Sequence, residues 1–180
     1  MYLRLPLVQD QYVTIISAYA PTLGSDEDIK DNFYNLLDAT IQGVDRRDKL
    51  VLLGDFNARV GKESQVWSGA LGNHGVGKMN SNGLRLLTLC TEHDLTITNT
   101  LFQLRDKYKN SWMHPRSKQW HLIDYVIVRR TSIREVKVTR AMRGADFSTD
   151  HRMIMSKMSL QVRPKVRRSG AKKKINCGIL

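Results

Sequence analysis

Asp55 and Asn57 stand two residues apart at the end of the apolar run Val51-Leu52-Leu53-Gly54, and Asp150-His151 form an adjacent pair near the other end of the chain. Residues i and i+2 of a strand share one face, so the first run is expected to present a carboxylate and a carboxamide together at a strand tip. Asp124 interrupts a second apolar run, Leu122-Ile123-Asp124-Tyr125-Val126-Ile127-Val128. A carboxylate there is costly unless it is paired, and a histidine is a natural partner. Taken singly, Asp124 reads equally well as a local backbone cap and Asp150-His151 as an ordinary turn. Taken together, acids, an Asn and a His at strand ends are the parts needed to cleave a phosphodiester. A divalent ion on carboxylates polarises the phosphate, a carboxylate orients water, and a histidine stabilises the charge that develops.

These groups need strands to hold them, and the sequence supplies a regular alternation. Residues 12–19 are β-branched and aromatic and stop at Pro21 and Gly24, which predicts a strand. Ser25, with Asp28 three residues on, resembles a capping box, and Ile29, Phe33, Leu36, Leu37, Thr40 and Ile41 recur at helical spacing up to Gly43. Residues 49–54 predict a strand buried on both faces. A Gly- and Asn-rich loop over 61–82 precedes a second helix over 83–93, and strands are expected at 95–98, 111–113, 122–128, 135–139 and 153–160. Strands that alternate with helices and then gather toward the end imply an α/β (α+β) domain, sheets covered by helices.

The long loop holds a near-match to a phosphate-binding P-loop, Gly72-Asn73-His74-Gly75-Val76-Gly77-Lys78-Met79. Met79 stands where a Ser or Thr must meet magnesium, and Gln65-Val66-Trp67-Ser68 is a poor preceding strand, so the segment reads as a glycine-rich surface loop that approaches a substrate.

Composition bounds the function. With 180 residues, 41% apolar and 26% charged, the chain fits one domain with a real core. Cys90 and Cys177 give no disulfide framework, which favours a reducing intracellular compartment, and no apolar run is long enough to span a membrane. Of the 29 basic residues, nine follow Asp150, which no acid follows, so the first 150 residues carry 20 bases against 17 acids. Most of the net charge of +12 therefore sits in the final segment. Residues 163–180 are expected to be a basic, disordered tail after a domain over 1–162, and such an arm favours a polyanion, nucleic acid above all. The terminal Cys177-Gly178-Ile179-Leu180 has prenylation spacing, but Gly178 is a poor aliphatic position and the expectation is an unmodified Cys177.

Four ordered motifs carry a family resemblance: Ser17-Ala18-Tyr19-Ala20-Pro21, Leu53-Gly54-Asp55-Phe56-Asn57-Ala58, Ile123-Asp124-Tyr125 and Ser148-Thr149-Asp150-His151. In that order they resemble the endonuclease/exonuclease/phosphatase superfamily, which includes abasic-site endonucleases and LINE-type retrotransposon endonuclease domains. Residues 111–121, Asn82-Gly83-Leu84-Arg85-Leu86-Leu87 and Met142-Arg143-Gly144-Ala145-Asp146 look like the craniofacial development protein 2-like group, derived from RTE-type retrotransposons. The resemblance implies a layered sandwich of two β-sheets flanked by helices, Mg2+ or Mn2+ as cofactor, DNA as partner through the basic surface and tail, and a nuclear location.

It also implies roles. Tyr19 would hydrogen-bond the scissile phosphate, Asp55 would orient or deprotonate the water beside Asn57, and Asp124 would fix His151, which contacts the phosphate. Asp150 would lie near the magnesium. Trp112 and Trp120 read either as core aromatics or as a border of the DNA groove, and for Trp112 the core is expected. The family's principal metal ligand, a strand-end Glu, and an Asn on its first strand have no counterpart before Tyr12, so the N-terminal part of the domain is expected to be missing, together with strands that 153–160 should pair with. Two readings follow: a magnesium-dependent endonuclease-like domain acting on DNA, and a non-catalytic remnant of that fold that binds nucleic acid or protein. A phosphatase acting on lipids or nucleotides shares the same motifs.

Overall fold

Leu50, Val51 and Leu52 form the middle of β3 (Lys49–Asp55), and all three are buried, as an apolar run without polar alternation requires when both faces of a strand are covered. The computed structural model describes residues 1–143 and 149–163. In it β3 lies at the centre of a five-stranded sheet, parallel to β2 (Tyr12–Tyr19) and antiparallel to β7 (Asp124–Arg129). The outer strands are β1 (Tyr2–Pro6), antiparallel to β2, and β4 (Leu95–Ile97), antiparallel to β7. The parallel pair β2 and β3 needs a crossover, which α1 (Glu27–Gln42) provides.

Strand alternation divides the side chains between two layers. Ile16, Leu50, Leu52 and Ile127 face α1 and α2 (Ser81–Glu92), packing with Tyr34, Leu37, Leu86 and Cys90. Val13, Val51, Val126 and Val128 face the other way, against the hairpin of β8 (Val136–Ala141) and β9 (Ile154–Met158). The layered sandwich is thus present, with a second sheet of two strands. A further short pair, β5 (Trp112–Met113) and β6 (Trp120–His121), stands beside the strand ends.

Several details differ from expectation for identifiable reasons. The N-terminal residues form β1, because Gln9 and Asp10 adopt left-handed conformations that turn the chain back (φ 59° and 53°). Arg4 then grips the buried Asp48 with two hydrogen bonds of 2.7 and 2.9 Å, while the Thr14 hydroxyl donates a third. That Arg4 bond holds the Asp48 carboxyl below the usual carboxylate range. No capping box starts α1: Asp26 occupies the N-cap without a side-chain bond, and Ser25 Oγ lies 3.1 Å from Thr22 Oγ1. The buried stripe of α1 is Lys30, Tyr34, Leu37 and Ile41, whereas Ile29 and Leu36 are exposed. The Lys30 ammonium is satisfied by Leu23 O and Glu27 Oε1, which is how a lysine comes to lie inside. The last strand, expected to pair with absent neighbours, pairs with β8 instead. Residues 144–148, part of two motifs, and 164–180, with nearly all of the basic tail and Cys177, lie outside the described residues.

Gly54 is fixed by the sheet itself. It pairs with Ala18 across β2 and β3 at φ +148°, and a Cβ placed there would lie 1.8 Å from the Ala18 carbonyl oxygen. Gly54→Ala is expected to lower stability by at least about 3 kcal/mol in urea unfolding, because backbone rather than a flexible side chain must move. A loss below about 1 kcal/mol would show that the strands can part at no cost.

Candidate active site

The pairing registers place Tyr19 opposite Asp55 and Asp55 opposite Asp124, so the three form a row across β2, β3 and β7. Alternation puts all three on the face that carries Val51, Leu53 and Val126, toward the β8 and β9 layer. Tyr19 is 72% exposed at the end of that row, which fits a rim position. Asp55 and Asp124 lie inward, where they line a cleft of about 570 Å3 with His151 and with apolar residues including Leu53, Ile154 and Met158.

Beyond Asp55 the chain turns sharply. Asn57 adopts a left-handed conformation (φ 46°), its N–H donates to Asp55 Oδ1 at 2.9 Å, and its Nδ2 donates to Ala20 O at 2.9 Å. Ala20 N in turn donates to Asp55 O at 2.8 Å, so the ends of β2 and β3 are laced together. The expectation that Asp55 and Asn57 share one strand face therefore gives way to a turn that aims Asn57 into a neighbouring hollow with Arg59, Trp112 and His121. Left-handed backbone suits Asn and Asp because the side chain bonds locally, as it does here.

Asp124 and His151 meet as expected: Asp124 Oδ2 lies 3.1 Å from His151 Nδ1. An ionised carboxylate can only accept, so Nδ1–H donates and Nε2 is the nitrogen left for other work. His151 is brought there by β5. The backbone bridges Trp112 to His151, and Met113 N donates to Asp150 O at 3.0 Å. Asp150, next in sequence, points elsewhere and accepts from Trp112 Nε1 at 2.7 Å. Trp112 is accordingly no core residue: it is partly exposed, with the rings of His114, His121 and His151 5.4, 6.0 and 6.2 Å from its own. An indole N–H without a partner inside would be costly, and Asp150 supplies one outside.

Two supporting residues were not singled out from sequence. Buried Ser111 receives the backbone N–H groups of Ile123 and Asp124, each at 3.2 Å. Buried Asn99 donates to Asp124 O at 3.1 Å and accepts from Val126 N at 3.0 Å, standing in for a strand neighbour just past the end of β4. The only sequence signal was polarity directly after an apolar strand, Thr98-Asn99-Thr100.

Burial raises Asp55 above the usual carboxylate range; the Asn57 N–H bond pulls it back and neighbouring Asp124 pushes it up again. Burial also raises Asp124, against Ser111 and His151. One ligand atom each from Asp55, Asp124 and His151 fall within 4.8 Å of one another. Two crowded carboxylates beside an imidazole suit a small divalent cation, whose charge would relieve the repulsion between them.

Residues 13–155 match a protein-family model described as endonuclease-reverse transcriptase. Two relatives named craniofacial development protein 2, from Bos taurus and Tragulus javanicus, are 35% and 34% identical over 151 residues. Those alignments cover 84% of this chain but 25% and 26% of the relatives, so the chain spans about a quarter of their length. Among solved structures, the catalytic domain of Xenopus laevis APE2 superposes with a TM-score of 0.62 at 16% identity, over 93% of this chain and 56% of that one. The endonuclease domain of TRAS1, a telomere-specific non-LTR retrotransposon, gives 0.58 at 15% identity over 86% and 61%. A Neisseria 3′ phosphatase bound to product DNA hairpin gives 0.57 at 19% over 87% and 64%.

A folded carboxyl with a raised pKa adds stability below its unfolded pKa and loses it as pH rises through the folded value. Asp55 is thus a cost at pH 7, and Asp55→Asn, which keeps an acceptor for the Asn57 N–H, should raise Tm there, with the gain closing as pH falls toward about 4. Mg2+ or Mn2+ should raise the Tm of wild type and not of Asp55→Asn. A Tm difference independent of pH, or an equal cation response in both proteins, would count against this site.

Proposed function

The chain belongs to the endonuclease/exonuclease/phosphatase superfamily, through its endonuclease-reverse transcriptase family, and from that premise we propose that it hydrolyses phosphodiester bonds of DNA with a divalent cation, Mg2+ or Mn2+. The nuclease-like fold makes a hydrolase the coarse expectation. The observation that carries the finer reading is the convergence of His151 on Asp55 and Asp124 at the end of the sheet, where those two carboxylates stand in one row with Tyr19.

Each residue has a role consistent with its surroundings. Asp55, its carboxylate held by the Asn57 N–H at 2.9 Å, is suited to orient the attacking water beside the cation. Asn57, locked by Ala20, borders the same strand end and orients the water or a phosphate oxygen. Asp124 holds His151 by Nδ1, so that Nε2 donates to the phosphate once the ring is protonated. Tyr19 offers a hydroxyl from the rim. Asp55 and Asp124 would hold the cation, and a cation there would neutralise charge on a phosphate oxygen; Asp150, engaged by Trp112, would act only through its charge, which is felt at Asp55. DNA rather than a lipid or a free nucleotide is favoured by the retroelement endonuclease among the structural neighbours and by the basic excess after Asp150.

Nicking of supercoiled plasmid by the purified chain tests this. Wild type with Mg2+ or Mn2+ should nick, EDTA should abolish nicking, and Asp55→Asn and His151→Ala should each reduce the rate at least about a hundredfold. If wild type and both variants are equally inert, the catalytic reading fails and the binding remnant is what stands.

A further inference from the structure

Arg59 is an arginine for which the fold provides a position and no partner. Arg4, Arg47, Arg85, Arg130 and Arg163 each meet a carboxylate, and Arg152 lies over the Trp120 ring at 3.3 Å. Arg46, Arg105, Arg116, Arg134 and Arg140 share with Arg59 the lack of a side-chain partner among the described residues, but only Arg59 of these lines a hollow that also holds Asn57. Arg59 is only partly exposed, yet its guanidinium has no hydrogen bond or ion pair among the described residues. Its backbone is held firmly all the same. Arg59 N donates to Asn80 Oδ1 at 2.9 Å, Asn80 N donates to Arg59 O at 3.0 Å, and Asn80 Oδ1 also caps α2 through Gly83 N at 2.8 Å. Gly83 is obligatory there, since a Cβ would lie 1.9 Å from Arg59 O. A guanidinium without an anion, carried on a firmly held and partly exposed stretch of backbone, is suited to receive one.

The surroundings say which anion. Arg59 and His121 line two adjoining hollows and form the wall between them. The first, about 510 Å3, contains Asn57 and so opens beside the candidate active site. The second, about 200 Å3, leads away past Lys62, Asn110 and Trp120, is bounded by Val76 and Gly77 of the glycine-rich loop, and holds one acid, Asp106, against the two cations Arg59 and Lys62. Burial lowers the His121 pKa, and Arg59 and His114 lower it further, so Arg59 stands as the permanent cation of this wall. A track that starts at Asn57, passes a fork-shaped cation and continues past a lysine to Trp120, whose ring already carries the Arg152 guanidinium, suits the phosphates of a nucleic-acid strand.

We propose that Arg59 binds a phosphodiester flanking the scissile one, and that the groove between it and the glycine-rich loop guides the strand away from the active site. The proposal rests on the reading of the chain as a DNA-cleaving enzyme and adds where the substrate runs. It also accounts for the glycine-rich loop, a false P-loop in sequence. Gly77, with φ +71° and nothing within 4 Å of a notional Cβ, leaves the wall open for a strand. Arg59 is a binding residue here, four positions beyond Asp55 on the same turn.

Binding in EDTA separates this from catalysis. Fluorescence anisotropy of a labelled duplex oligonucleotide is read for wild type, Arg59→Ala, Arg59→Lys and, as a control on the far side, Arg47→Ala, across about 50 to 200 mM salt. Arg59→Ala should weaken binding roughly tenfold and reduce the log–log salt slope by about one. Arg59→Lys should keep the slope and lose part of the affinity, and Arg47→Ala should match wild type. Wild-type binding with an unchanged affinity or slope in Arg59→Ala would overturn the proposal. Wild type that neither binds nor nicks would sink the DNA-cleaving reading itself. Circular dichroism and Tm identify a variant that has failed to fold, and the folded Arg59→Lys then decides: a salt slope reduced like that of a lost charge overturns the proposal as well.

Discussion

Asp55 and Asp124 face each other across an antiparallel strand pair, and two carboxylates so placed repel unless the surroundings divide them. Much of the local structure does that. Asp55 is turned toward the Asn57 N–H, and Asp124 is given His151. The pairs stay distinct because the Asp124 backbone is pinned on two sides, by Ser111 at its N–H and by Asn99 at its carbonyl. Delivering His151 requires β5 to bridge the segment after residue 148, and that contact also gives Trp112 its place. Burial still raises both carboxyls, so the site is a local cost. The helix-side core, where Leu50, Leu52, Leu86, Leu87 and Ile127 are fully enclosed, offsets it.

The division of the sheet into two faces decides where such a site can exist. Along β3, Leu50 and Leu52 face the helices, while Val51, Leu53 and Asp55 face the smaller sheet, so one face grades from apolar to acidic toward the strand end. A one-residue slip of register would turn Asp55 toward the layer that now buries Leu50 and Leu52 against the helices. Gly54 guards that register, because its close approach to the Ala18 carbonyl tolerates no side chain. The glycine before the carboxylate is thus explained by packing alone, without reference to chemistry.

How much of this was legible from sequence follows from the range of each interaction. Asp55, Asp124 and His151 stood out because strand runs are read locally and a polar residue at their ends is conspicuous. Their row was implicit in alternation; what brings His151 to it was not, since β5 reaches it through Trp112 and Met113, and Ser111 and Asn99 steady Asp124 through contacts equally distant in sequence. Asp150 shows the limit clearly. It adjoins His151, but consecutive residues of an extended segment point apart, and Asp150 turns to Trp112. The same cause moved Trp112 out of the core. On α1 the apolar residues suggested one stripe, and the packing chose another centred on Tyr34, whose hydroxyl reaches Asn82 O at 3.3 Å. The strand β1 was hidden because its turn uses Gln9 rather than a residue that favours left-handed backbone.

Charge is arranged in the same divided way. On the outside of α1, Glu27 and Asp31 take up Arg85, and Asp38 takes His93; at the foot of the sheet, Asp48 takes Arg4 and Glu135 takes Lys49. These pairs leave Arg59 and Lys62 without an ion-pair partner among the described residues, although Asp106 shares their hollow. What remains around the Asp55 turn is asymmetric: carboxylates crowd one side of Asn57, and Arg59 and Lys62 line the other. A phosphodiester chain needs both, since the attack requires a base and the strand requires cations to hold its remaining phosphates. With the two sides separated by a single laced turn, motion of Asn57 relative to Ala20 would disturb binding and chemistry together, which ties the precision of the site to backbone rather than to long, mobile side chains.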